Sequence, residues 1–176
     1  TGFSFHAVKN LTTAEGGALS FALPPALDLE KTTAWFRAMA LHGQSKSALE
    51  KSQSGTWQYD VVEAGYKCNM TDIQAAIGRS QLKTYPDHLQ RRKAIATRYS
   101  QALSPVSWCT LPLLQDAQRE SAYHLYSIRI EGFDSKQRDA LMQQLKNDGI
   151  ATNVHFIPLP LLSLHRNRGE DLRNYP

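Results

Sequence analysis

The chain has 176 residues, 41% of them apolar, and a formal net charge of +4, a composition that allows a sizeable core and excludes a disordered chain. Its cations are interspersed with acids except at Arg91-Arg92-Lys93, which reads as a solvated helix face; a nucleic-acid surface would be broader and interleaved with aromatics. No apolar run approaches the ~20 residues of a membrane span, and the first residues lack a signal-peptide plan, so the expected location is cytoplasmic. The two cysteines, Cys68 and Cys109, have no metal-ligand spacing and predict free buried thiols of a reduced, intracellular protein and no metal site.

In chain order, TGFSFHAV opens as a strand, and Gly17–Leu23 reads as a second short strand ended by Pro24-Pro25. Between them Gly16-Gly17 permits the turn that lets the chain double back. Apolar positions Leu27, Ala34, Trp35, Met39 and Leu41 fit a helix closed by Gly43. Residues 43–65, with Trp57 and Tyr59, form a long polar loop, of a length that is usually functional or disordered.

Thr71 with Gln74 has the form of a capping box, so a helix is predicted to start at Asp72, with Ile73, Ala76, Ile77 and Leu82 on its apolar face. Pro86 then opens a second helix to about Leu103, burying Leu89, Ile95, Tyr99 and Leu103. YHLYSIRI alternates as a strand, Ser135 caps a helix that Gly149 stops, and IATNVHF is another strand. These give a small α/β unit. Both ends look cut, and the expected organisation is 1–104 as part of a larger α/β domain with a connecting helix and 105–176 as part of a smaller domain.

The chemistry turns on SFHAVKNLTTAEGG, which places Lys9 at a strand end just before a turn. A lysine amine is a poor nucleophile near neutral pH because its free pKa is about 10.4. Burial beside apolar groups or another cation activates such an amine for Schiff-base chemistry. Taken bare, Lys9 is better read as a surface residue, His6 as structural and His155 as a half-buried strand histidine, while Ser4 reads equally well as a backbone partner or a site hydroxyl.

The strings together change that reading. Ser4, Phe5, Lys9, Asn10, Thr12, Glu15, Gly16 and Gly17 match S-F-x-x-x-K-N-x-T-x-x-E-G-G. Met70–Ala76, Gly78, Gln81 and Leu82 match M-T-D-I-Q-A-A-x-G-x-x-Q-L, and His155, Phe156 and Pro158 match H-[YF]-x-P. In this order and spacing the chain resembles the DegT/StrS family of pyridoxal-phosphate-dependent sugar-nucleotide aminotransferases.

The resemblance implies an α/β chain: the C-terminal part of a fold-type-I large domain plus part of the small domain. It implies that Lys9 binds pyridoxal 5'-phosphate covalently and shuttles the proton at the reacting carbon, and that Ser4 holds the cofactor phosphate. The loop before Thr71 would reach a neighbouring subunit's site in a homodimer with shared active sites. There Lys67 stands where the family commonly has a phosphate-binding asparagine, and it can bind phosphate as a point charge, beside Asn69. Tyr66 and His155 would line the pocket of a nucleotide-linked keto-sugar, with L-glutamate as amino donor, in surface polysaccharide or lipopolysaccharide synthesis; Pro160 replaces a second histidine often found there.

The family's phosphate loop, stacking ring and pyridine-pairing aspartate all precede the lysine, and only eight residues do so here. Weak cofactor binding is therefore expected unless those parts are supplied. The alternatives are a non-catalytic regulatory or interaction protein on this scaffold, and a dehydratase branch in which histidine replaces the lysine; Lys9 argues against the latter.

Overall fold

The structure is a computed structural model that describes residues 1–22, 24, 27–45 and 58–174. Leu23, Pro25, Trp57 and the last two residues, which the sequence places in a strand end, a stop, a loop and a tail, lie outside the described residues. The chain divides into two compact units, Thr1–Arg92 and Lys93–Pro176.

In the first unit, β1 (Gly2–Ser4) and β2 (Gly17–Leu19) pair antiparallel, Gly2 opposite Leu19 and Ser4 opposite Gly17. The chain does double back, over shorter strands than the apolar pattern suggested. Helix α1 (Leu29–Ala40) starts at Asp28, whose carboxylate accepts the Lys31 amide at 3.0 Å and satisfies one of the first-turn donors. It stops at His42 and Gly43, both at positive φ (59° and 69°).

Residues 60–68 then lie along this end of α1. The amides of Tyr66 and Cys68 donate to the Met39 and Ala40 carbonyls at 2.7 and 2.9 Å, carbonyls that have no intrahelical partner at a helix C-terminus. His42 N–H returns a bond to Tyr66 at 2.8 Å, and Trp35 Nε1 donates to Glu63 at 2.7 Å. The loop expected over 43–65 is thus tied down at both described ends, with Gln44 bridged to Val61.

Helix α2 (Asp72–Leu103) is one element of 32 residues with Pro86 inside it, which corrects the expected break. Its covered or half-covered positions, including Gln74, Gly78, Gln81, Tyr85, Leu89, Arg92, Ala96, Ser100 and Leu103, recur every three or four residues without a change of phase at Pro86. Pro86 and Leu82 lie on the exposed side, where water can take the bond that proline no longer donates. The stripe is only partly the one expected: Leu89 and Leu103 are half-covered, whereas Ile73, Leu82 and Tyr99 are 76%, 60% and 51% exposed. Gln74, Gly78, Gln81 and Ser100 join Tyr85, Leu89, Ala96 and Leu103 on the covered face.

In the second unit β3 (Cys109–Thr110) pairs antiparallel with β4 (Arg129–Ile130). The predicted strand over 123–130 shrinks to its last two residues there because Tyr123 takes φ 51°, outside the strand region. Its phenol turns to Glu120 at 2.8 Å, and Tyr126 bonds Ser100 of α2 at 2.9 Å. Helix α3 (Ser135–Asn147) is capped by Asp134 rather than Ser135: Asp134 accepts from Gln137 N, and the Gln137 side chain accepts from Asp134 N. Among the described residues no strand follows α3, so IATNVHF does not complete a β-α-β unit; short helix α4 (Ser163–Asn167) comes later.

The described hydrophobic core consists of Ala96 and Tyr123; the cysteines expected to be buried are not part of it, Cys68 being exposed on the segment that leads into α2 and Cys109 half-covered on the two-residue strand β3. Beside Tyr123, Lys93 Nζ bonds Glu120 at 2.7 Å. The Lys93 bond, then the Tyr123 phenol, holds the Glu120 carboxyl below the usual carboxylate range, while Glu120 raises Lys93 above the usual lysine range. A lowered acid pKa contributes stability that is complete above the ordinary glutamate range and lost as pH falls through the folded value; the raised lysine loses its share at the alkaline end. Glu120→Gln is therefore expected to lower the urea midpoint at neutral pH, with the difference from the native chain closing on acidification. A gap that persists at low pH would show that packing, not charge, is responsible.

Candidate functional site

Lys9 sits in the connection between β1 and β2, and its amide donates to the His6 carbonyl at 2.9 Å to make a tight turn. Residues 5–16 form a closed loop around it. Phe5 N–H bonds the Gly16 carbonyl at 2.8 Å, and the Phe5 carbonyl accepts both the Thr13 amide at 3.0 Å and the Thr12 hydroxyl at 3.1 Å. Thr12 Oγ1 in turn accepts the Ala14 amide at 2.9 Å, and the Thr13 hydroxyl donates to the Glu15 carbonyl at 2.6 Å. Short hydroxyls that bond nearby backbone are what makes such a loop rigid without secondary structure.

The loop rests on α2 at two points. Thr13 is 1% exposed, and its methyl lies so near Gly78 that a Cβ there would come within 2.9 Å of it. Gln74 Nε2 donates to the Glu15 carbonyl at 2.9 Å, while Gln74 Oε1 accepts the Thr71 amide at 2.9 Å and the Thr71 hydroxyl at 3.0 Å. The capping box is present as the sequence predicted, with one function added. The lysine motif and the T-D-I-Q-A-A-x-G motif are one physical assembly.

Lys9 itself is half-buried, and among the described residues its amine has no hydrogen bond or ion pair. Ser4, exposed at the end of β1, accepts the His6 amide at 3.4 Å and keeps its hydroxyl proton for another acceptor. Lys67 and Asn69 lie on the segment that leads into α2, the Lys67 amine donating to the Asn69 side-chain carbonyl. Tyr66, 71% exposed, projects from the same segment, whose backbone is fixed by α1. His155 belongs to the second unit; it is exposed and its ring lies 3.8 Å from that of Phe156, centroid to centroid.

Thr13, Gln74 and Gly78 were not singled out as site residues by the sequence patterns. One signal was available: glycine inside a helix costs about 1 kcal/mol against alanine, so Gly78 pointed to a close approach. Among the described residues no group of three or more His, Cys, Asp or Glu is placed to hold a metal ion, and no helix is long and apolar enough to cross a membrane.

A family model described as the DegT/DnrJ/EryC1/StrS aminotransferase family matches residues 1–176. The spore coat polysaccharide biosynthesis protein SpsC of Bacillus subtilis is 41% identical over 165 residues, which cover 90% of this chain and 40% of SpsC. Among solved structures, Spr1654 of Streptococcus pneumoniae, assigned as a sugar aminotransferase, superposes in its PMP form with a TM-score of 0.91 at 48% identity, over 100% of this chain and 44% of that one. Its PLP form gives 0.90 at 45% identity, over 100% and 42%. PseC of Helicobacter pylori, an aminotransferase involved in the biosynthesis of pseudoaminic acid, gives 0.78 at 30% identity, over 94% and 41%. The chain thus spans less than half the length of the relatives it matches.

Proposed function

Because the chain belongs to the DegT/DnrJ/EryC1/StrS aminotransferase family, whose cofactor is pyridoxal 5'-phosphate, we propose that the protein moves an amino group from L-glutamate onto a nucleotide-linked keto-sugar. The observation that carries the proposal is the Lys9 loop: a half-buried lysine whose amine has no partner among the described residues, in a loop closed by the threonines of its own motif. The donor set suits the cofactor, with a primary amine for its aldehyde and the Ser4 hydroxyl for a phosphate oxygen. When bound, the cofactor supplies an electron sink.

The residues of this chain take part of the remaining work. Lys9 holds the cofactor and moves the proton at the reacting carbon, and Ser4 donates to the phosphate. Lys67 and Asn69, coming from the segment beside α1, hold the phosphate of a neighbouring subunit in a homodimer, and Tyr66 and His155 face the sugar. Residues 1–104 form the C-terminal part of the fold-type-I large domain and 105–176 part of the small one. Polysaccharide or lipopolysaccharide synthesis in the cytoplasm is the setting this reading assigns, in line with the role in SpsC's name.

The test is reductive trapping. The chain, alone and joined to the N-terminal part of SpsC, is incubated with pyridoxal phosphate, reduced with borohydride and mapped by peptide mass spectrometry. A single adduct at Lys9 in the joined protein is expected. Label scattered over surface lysines would remove the basis of the reading.

A further inference from the structure

We propose that Gln74 is a positioning residue for Lys9, one that uses both ends of its side-chain amide; the proposal rests on the reading of Lys9 given above. Its Oε1 caps α2 through Thr71 N–H and the Thr71 hydroxyl, while its Nε2 donates to the Glu15 carbonyl across 59 residues of sequence. Glutamate and glutamine serve equally at this place in a capping box. At neutral pH only glutamine also offers a donor, and the group opposite it, a backbone carbonyl, can only accept.

Glu15 is in turn bound through its carbonyl by Thr13, which is packed on Gly78, and Thr13 N–H closes the loop on Phe5. The amide of Gln74 therefore fixes the loop in which Lys9 lies against the first turns of α2. A carboxylate at 74 would keep the cap and turn an attractive contact with the Glu15 carbonyl into a repulsive one.

Gln74→Glu isolates this function from helix stability. The readout is amide hydrogen exchange of the chain, taken as protection relative to free-peptide rates. At neutral pH the variant is expected to lose about tenfold in protection at Phe5 and Thr13, the scale of one hydrogen bond. Ala75, which donates to the Thr71 carbonyl at 2.9 Å, is expected to stay protected.

The variant carries a pH signature that a merely structural role lacks. Below about pH 4.3, the ordinary range of a glutamic acid, the new carboxyl is protonated and its O–H can donate to Glu15 again, so protection of the loop returns. The other titratable groups nearby are Glu15 and His6, 3.6 Å apart on the loop, and Asp72 in the first turn of α2. They are present in both chains, and the native profile subtracts them.

Unchanged loop protection in the variant, or a loss that spreads to Ala75 or fails to recover in acid, overturns the proposal. Trapping with pyridoxal phosphate in the protein joined to the N-terminal part of SpsC separates it from the reading of Lys9. Preferred label at Lys9 in the native protein and a reduced share there in Gln74→Glu support the positioning function. Equal shares overturn it, whereas no preference in the native protein overturns the reading of Lys9 and with it any positioning of a catalytic amine.

Discussion

Lys9→Arg is expected to leave no trapped cofactor at residue 9 and to reduce amine transfer by at least about 10²–10⁴-fold, the range contributed by a positioned proton-transfer group alone. Arginine keeps the charge and a long stem, so the half-buried position is filled much as before. Its guanidinium stays protonated throughout the accessible pH range and can neither condense with an aldehyde nor give and take a proton. The contacts that close the loop come from the backbone of Phe5, His6 and Gly16 and from Thr12 and Thr13, none of them from the lysine side chain. Loop protection in hydrogen exchange should therefore match the native chain while trapping is lost. Transfer at the native rate in this variant would mean that another amine does the chemistry.

The largest structural effect is expected from Gly43→Ala. Gly43 sits at φ 69°, and a Cβ there would lie 1.8 Å from the Glu63 carbonyl oxygen and 2.7 Å from its carbon. The left-handed conformation alone costs roughly 1–2 kcal/mol for a residue with a Cβ. The overlap is with backbone, which cannot rotate away. Gly43 is fixed on both sides, its N–H to Ala38 at 2.8 Å and its carbonyl to Val62 N–H at 2.9 Å, so residues 60–68 must lift off α1. A total loss of about 3–5 kcal/mol places this among the exceptional single substitutions.

Urea unfolding measures that loss, and exchange at the Tyr66 and Cys68 amides locates it. Gly149→Ala is the control, since Gly149 has φ 80° with nothing near a Cβ, and only the conformational cost should be seen. Comparable losses in the two variants would show that contact with Glu63 contributes nothing. Through this substitution the segment that bears Tyr66, Lys67 and Asn69 is also predicted to lose its fixed position.

The family was legible because its chemistry is written in contiguous strings. A lysine followed by N-x-T-T-x-E-G-G needs its neighbours in sequence to close one loop, and the structure confirms that Thr12, Thr13 and Gly16 act on it locally. The capping box at Thr71 and Gln74 and the stop at Gly43 were legible for the same reason: each is a bond between residues a few positions apart.

What sequence could not decide depends on partners distant in the chain. Alternation in YHLYSIRI and IATNVHF suggested strands, but a strand exists only where another pairs with it; among the described residues of these stretches only Arg129–Ile130 find such a partner, Cys109–Thr110, and Tyr126 bonds Ser100 of α2 instead. Apolar spacing in α2 pointed to Ile73 and Leu82, yet Gly78 and Gln74 meet the lysine loop, because close approach of two backbones selects small and hydrogen-bonding residues over bulky apolar ones. Pro86 suggested a helix boundary from local propensity, and the packed stripe carried the helix through it. The sequence by itself determined the family and the turns and caps at Gly16, Gly43 and Thr71, which short-range bonds set. The tertiary structure alone decided that the two motifs are one assembly, since the contact of Gln74 with Glu15 spans 59 residues and no spacing rule encodes it.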